Sequence, residues 1–260
     1  MEIQRLFPDP LAVRVAEAAA TVCDGGPADA ARPCVALNFA ATADGRITIG
    51  GRSGPIGNEA DRELFHELRA GVDAVMAGAA TVSTERYGRL VRDEERRERR
   101  RANGLEPDPL AVVVSARLSV DPDLPLLQDP HSRVVIVTES ERELDGVRAH
   151  VEYLRPADAP ASREELRGRA SMLALGPPMR ALRERWGIRT VMCEGGSVLA
   201  AALLREHLVD ELYLSVAPTL AAGTGPTVVT GPPLEPPVAM ELRSAHESGG
   251  HLFLRYRIRG

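Results

Sequence analysis

From residue 33 onward the chain alternates short apolar runs with longer stretches of helical character, and this alternation points to an α/β fold built on a mostly parallel sheet. The runs at 33–40 (PCVALNFA), 73–78 (DAVMAG), 110–115 (LAVVVS), 133–138 (RVVIVT) and 190–193 (TVMC) are apolar along their length, as buried strands are. Residues 58–70 predict a helix: Leu64, Phe65 and Leu68 share a face, Asn58 can cap it, and Asp61 lies near the positive end of its dipole. Further helices are expected at 179–186 and 197–205, and a strand at 210–217. Residues 238–246 and 251–259 flank Gly249-Gly250 as a hairpin, expected to close the sheet as an antiparallel edge. The Ala-rich run 11–22 reads as a short helix within an N-terminal appendage, residues 1–31, ahead of a single domain over 32–260. Residues 152–175 are polar and interrupted and receive no firm assignment.

Several function classes are disfavoured by composition. Lys and Arg number 32 against 37 Asp and Glu, a net charge of −5 that offers no footprint for nucleic acid. Nine aromatics (one Trp, four Tyr, four Phe) leave little for base stacking. The segment RDEERRERRR at 92–101 interleaves acids with its arginines and reads as a solvated helix rather than a basic arm. Cys23, Cys34 and Cys193 are odd in number and contain no C-x-x-C, so reduced thiols in a cytoplasmic protein are expected, with neither a disulfide framework nor a metal site. No signal-peptide pattern or membrane-length apolar run occurs.

Three loops that follow strands are candidates for chemistry. Gly195 and Gly196 stand between a buried strand and a helix start, where backbone N–H groups and the helix dipole favour an anion such as a pyrophosphate; tight packing alone also explains such a turn. Gly78 opens a second small-residue turn with Thr81, whose hydroxyl can bond a ligand or cap a helix. Asp44 in the third is either a turn acid or a carboxylate aimed into a shared cleft. In an open α/β sheet, ligands bind outside the carboxyl ends of parallel strands, where these loops fall.

Four blocks in order, RPCVALNFAATADGRI (32–47), LRAGVDAVMAGAATV (68–82), VMCEGGSVLAAALL (191–204) and LVDELYLSVAP (208–218), resemble the signature blocks of the riboflavin-biosynthesis pyrimidine reductase family. The resemblance covers residues from about 32 to 259 and implies a dihydrofolate-reductase-like fold, NADPH as cofactor and a homodimer. It implies hydride transfer to the ribose C1′ of a ribosylamino-pyrimidine 5′-phosphate, of the 5-amino-6-(5-phosphoribosylamino)uracil type. Carried over by position, Gly196, Ser197, Val198, Leu199, Ala200, Ala201 and Ala202 would hold the pyrophosphate, with Ala40, Gly78, Thr81, Glu85 and Gly195 adding cofactor contacts. Ser115 and Arg117 follow the strand that receives the adenosine end, where Arg117 is either a 2′-phosphate partner or a solvent-facing arginine. Asn38, Ser53, Arg69, Arg92 and Glu194 match substrate positions.

The deaminase motifs H-x-E and P-C-x-x-C, fused to many bacterial relatives, do not occur here. Other departures fall mainly on the substrate side. S-L-D-G reads Thr42-Ala43-Asp44-Gly45, a common lysine is Asn38, and D-[DN]-P becomes Glu85-Arg86-Tyr87. Asp44 and Glu194 are the candidates for polarising or protonating the substrate, and burial of one beside the other would raise its pKa. Reduction of dihydrofolate or another pterin, and an idle NADPH-binding module, are the competing expectations; the partner in either enzymatic reading is a small molecule, not nucleic acid or membrane.

Overall fold

The computed structural model describes residues 1–20, 22–27, 29–155 and 173–259. In chain order its elements are β1 (Glu2–Phe7), β2 (Leu11–Arg14), α1 (Val15–Ala19), β3 (Cys34–Thr42), α2 (Glu59–Gly71), β4 (Ala74–Gly78), α3 (Ala79–Thr84), α4 (Glu94–Ala102) and β5 (Leu110–Val114). There follow α5 (Pro125–Gln128), β6 (Arg133–Val137), β7 (His150–Leu154), α6 (Gly176–Trp186), β8 (Thr190–Cys193), α7 (Ser197–Arg205), β9 (Glu211–Ala217), β10 (Met240–Ser248) and β11 (His251–Ile258). The strands pair into one sheet in the order β2-β1-β10-β11-β9-β3-β8-β4-β5-β6-β7. Pairing is parallel from β9 through β7 and antiparallel from β2 through β11 to β9. The expected mostly parallel sheet with a C-terminal antiparallel hairpin is borne out.

The apolar runs read as buried strands because both of their faces are covered. Along β3, Val35 and Leu37 enter one core while Cys34 and Ala36 enter the other, and β4, β5 and β6 split their residues in the same way. One core lies under α2, through Ala60, Leu64 and Leu68; the other lies under α6 and α7, through Met179, Leu182, Ala200 and Leu203. The Asn58 cap is present, with Asn58 Oδ1 accepting from the Asp61 N–H at 2.9 Å. No helix among the described residues is long and apolar enough to cross a membrane.

Four expectations need correction. The hairpin does not end the sheet: β10 pairs with β1, and β2 forms the edge beyond it. The helix expected over 11–22 shrinks to α1, since Leu11–Arg14 pairs with β1 instead. Residues 1–31 thus supply two strands and a helix, with Ile3, Val13, Val15 and Ala19 in the first core. Of the unassigned stretch, the start lies in β7, and residues 156–172 fall outside the described residues.

The cysteines give the third correction. Cys23 and Cys34 form a disulfide, their Cα atoms 6.0 Å apart, while Cys193 is a buried free thiol that burial pushes up to about 12. Parity and spacing could not reveal this pair, because pairing depends on the chain bringing the residue after α1 to the start of β3.

The charged segment gives the fourth. α4 does form, capped by Asp93, but Arg100 is 1% exposed rather than solvated. Its Nη1 donates to the carbonyls of Arg69 (2.9 Å), Ala70 (3.2 Å) and Val72 (2.7 Å), and its Nε to that of Glu106 (2.7 Å). One guanidinium therefore satisfies the carbonyls left over at the end of α2. Burial pushes its pKa down to about 10. Arg100→Met is expected to cost about 2–3 kcal/mol in urea denaturation, since charged hydrogen bonds are lost and carbonyls are left unpaired. Arg100→Lys should recover only part of that, because an ammonium cannot reproduce the planar fork.

Candidate active site

A cavity of about 740 Å³ opens at the carboxyl ends of β3, β4 and β8. Its floor is Asn38, Phe39 and Ala40 of β3; Ala80 and Thr81 of α3 line one side, and Glu194, Gly195, Gly196 and Ser197 another. The loops after β4 and β8 are joined through their backbones. Glu194 N–H donates to the Met76 carbonyl (2.9 Å), Gly78 N–H to the Gly195 carbonyl (3.0 Å), and Gly196 N–H to Thr81 Oγ1 (2.9 Å). Thr81 thereby fixes the turn that opens α7.

That turn requires glycine. Gly195 has φ +118° and Gly196 φ +44°; a Cβ at Gly195 would meet the Phe39 ring at 3.5 Å and one at Gly196 would meet Thr81 Oγ1 at 3.7 Å. Backbone this bare, at the start of a helix whose first N–H groups have no partner within it, can approach an anion closely. Of the residues expected to hold a cofactor, Ala40, Thr81, Glu85, Gly195, Gly196 and Ser197 line the cavity, and Gly78 sits behind them against Gly195. Val198 is exposed on α7, whereas Leu199, Ala200, Ala201 and Ala202 are buried in the helix flank. Ser115 is buried beyond the end of β5, where its hydroxyl accepts from the Ser119 N–H at 2.9 Å, and Arg117 is exposed. Neither lines the cavity.

A charged cluster adjoins the glycine turn. Arg69, near the end of α2, donates from Nε and Nη2 to the two oxygens of Glu194 at 2.6 Å each, and from Nη1 to the Leu90 carbonyl at 3.2 Å. The Glu194 side chain is 1% exposed. Tyr87 donates its hydroxyl to Glu194 Oε2 at 2.6 Å. This residue stands where the family pattern has a proline. The Arg69 guanidinium lies 4.2 Å from the Phe65 ring centroid and 5.2 Å from that of Tyr87. Burial alone would favour neutral Arg69, but the charge and hydrogen bonds of Glu194 more than offset it and hold the guanidinium protonated. Burial, reinforced by the charge of Glu194, pushes the Tyr87 hydroxyl up, so it remains a donor.

Asn38, Ser53 and Arg92 also line the cavity, as expected for substrate positions. Ser53 donates from its N–H (3.0 Å) and hydroxyl (2.9 Å) to Glu85 Oε1, which ties the loop after β3 to the end of α3. Asp44 lies outside the cavity on the surface. The Thr42 hydroxyl and then the N–H groups of Ala221 and Ala222 hold its pKa down to about 2. The Asp44 and Glu194 carboxylates share no partner: Asp44 binds Thr42, Ala221 and Ala222, while Glu194 binds Arg69 and Tyr87.

The sequence model of a family described as RibD C-terminal domain matches residues 33–254. The chain belongs to that family. Among relatives of this RibD C-terminal domain, the 2,5-diamino-6-ribosylamino-4(3H)-pyrimidinone 5′-phosphate reductase of Archaeoglobus fulgidus is 35% identical over 202 residues, covering 77% of the chain and 87% of its own length. The protein of the same name from Methanothermobacter thermautotrophicus is 32% identical over 241 residues, covering 88% and 100%. A pyrimidine reductase-like protein of Corynebacterium diphtheriae shares the fold, with a TM-score of 0.71 at 21% identity over 88% of this chain and 92% of that one. The domain is thus a reductase by membership, and the cofactor class that goes with it is a nicotinamide nucleotide.

Phe65 was expected on the apolar face of the helix with Leu64 and Leu68, and Asp61 near the helix dipole, yet both line the cavity, as do Arg62 and His66. Their signal was position: all four fall on the helix that carries Arg69 toward its end.

Proposed function

We propose that this domain uses NADPH to reduce the ribosyl C1′ of a ribosylamino-pyrimidine 5′-phosphate in riboflavin biosynthesis, giving the ribitylamino product. The observation that carries the reading is one cleft in which a bare glycine turn at Gly195–Gly196, suited to a phosphate, adjoins a buried Arg69–Glu194 pair. The diaminopyrimidinone is the substrate named for the relatives at 32–35% identity, and the uracil form is its deaminated counterpart.

A dinucleotide fits the residues present, because both glycines of the turn present bare backbone and α7 points its start at the cleft. When bound there, the nicotinamide supplies the hydride. The N–H groups that open α7, at Ser197 and Val198, would hold the pyrophosphate, and Thr81 keeps their turn in place through Gly196. Arg69 and Tyr87 fix the Glu194 carboxyl in one orientation, leaving it lone-pair capacity for an amino or ring N–H of the pyrimidine. Arg92, exposed on the cavity rim, is suited to the substrate phosphate. Catalysis in this arrangement is largely positioning of cofactor and substrate in one cleft.

The test is steady-state oxidation of NADPH and of NADH with the diaminopyrimidinone, the uracil form and dihydrofolate as substrates. The expected result is turnover with a ribosylamino-pyrimidine and a preference for NADPH. Turnover with dihydrofolate alone, or NADPH binding without oxidation on any substrate, would overturn the reading.

A further inference from the structure

We propose that Asp61 is the acid that protonates the glycosylamine nitrogen of the substrate as C1′ is reduced. This role rests on the reductase reading above and assigns its missing proton.

The ring-opened substrate carries a C1′=N bond. As C1′ accepts a hydride from the reduced nicotinamide, a C1′–H bond forms and the π pair of C1′=N moves onto nitrogen. Nitrogen takes the proton of an acid, leaving a carboxylate that solvent reprotonates. The products are the secondary amine and the oxidised nicotinamide. The acid must stand at the cavity and hold its proton when substrate arrives.

Among the described residues four carboxyl groups line the cavity, and three of them accept hydrogen bonds from N–H or O–H donors aimed at them. Glu194 receives two bonds from Arg69 and one from Tyr87; Glu85 receives two from Ser53; Asp93 accepts the Arg96 N–H as the cap of α4 and is exposed. Asp61 is different. It sits in the first turn of α2 with its carboxyl packed against Gly57, where an added Cβ would collide with Oδ2. Burial raises its pKa, and the Ser215 hydroxyl, His251 and Arg62 oppose that only in part. These are the groups that face it: Ser215 from β9, His251 from β11 and Arg62 from its own helix. Ser215 pairs with Ala40 in the β3–β9 register, so Asp61 lies beside the floor of the cleft.

The experiment compares Asp61→Asn with wild type. The expected loss in kcat is about 100-fold to 10,000-fold, with NADPH affinity by calorimetry unchanged. The wild-type kcat should fall as pH rises through the Asp61 pKa, and the variant should lose that limb. Carboxyl-carbon NMR of the unliganded wild type gives a readout free of turnover and of any variant that fails to fold: Asp61 should titrate above ordinary aspartates. An Asp61→Asn enzyme within about threefold of wild-type kcat, or an Asp61 that titrates at or below the ordinary value, would overturn this role and leave the reductase reading standing. Absence of turnover by wild type on every ribosylamino-pyrimidine would overturn both.

Discussion

Arg69→Met is expected to lower folding stability by about 3–5 kcal/mol and to remove measurable turnover, because it leaves a buried carboxylate without its principal counter-charge. Glu194 is 1% exposed and Arg69 10%, so water cannot substitute for the lost donors. Tyr87 remains but supplies a single bond. The double variant Arg69→Met/Glu194→Met separates the two effects: it removes the stranded charge together with its partner and should regain much of the stability in a denaturant titration. Its activity should stay lost, since the oriented acceptor is gone. A stable single variant would mean that the pair contributes little to folding, and an active double variant would remove Glu194 from substrate binding.

Gly196→Val is the second large effect. At φ +44° a β-branched residue is strained by about 1–3 kcal/mol, and its side chain would project toward Thr81 and the anion cradle. NADPH affinity is expected to fall at least about 100-fold, equivalent to about 2.7 kcal/mol, by calorimetry. Thr81→Val should weaken binding less, since it removes one bond to the Gly196 N–H and leaves the backbone path intact. Equal NADPH affinity in Gly196→Val and wild type would place the pyrophosphate elsewhere.

The parallel half of the sheet was legible because its strands are buried on both faces, which writes uninterrupted apolar runs into the sequence. Strands β1 and β2 carry no comparable signal. EIQRLF and LAVR are mostly exposed at the sheet edge, and only pairing with β10 makes them strands, so the alanines after Val13 pulled the reading toward helix. The glycine turn at 195–196 was legible because a strand, two glycines and a helix start are contiguous. Arg69 and Glu194 are 125 residues apart, and their bidentate pair follows from the fold alone. The burial of Arg100 was hidden for the same reason: its nine charged neighbours in RDEERRERRR suggested solvent, while three of the carbonyls it binds lie about thirty residues earlier. Asp44 and Asp61 show that residue type does not fix protonation. One is exposed and held by the Thr42 hydroxyl and two backbone N–H donors, the other is buried beside the cavity floor, and their pKa values move in opposite directions.

The most direct test of the reductase reading is the fate of the transferred hydrogen. The protein is incubated with the diaminopyrimidinone ribosyl phosphate and NADPH deuterated at the nicotinamide C4, and the product is read by mass spectrometry and proton NMR. A ribitylamino product carrying deuterium at C1′ is predicted. Recovery of intact substrate, or of a product with deuterium elsewhere, would contradict a cleft that sets the nicotinamide against the ribosyl carbon.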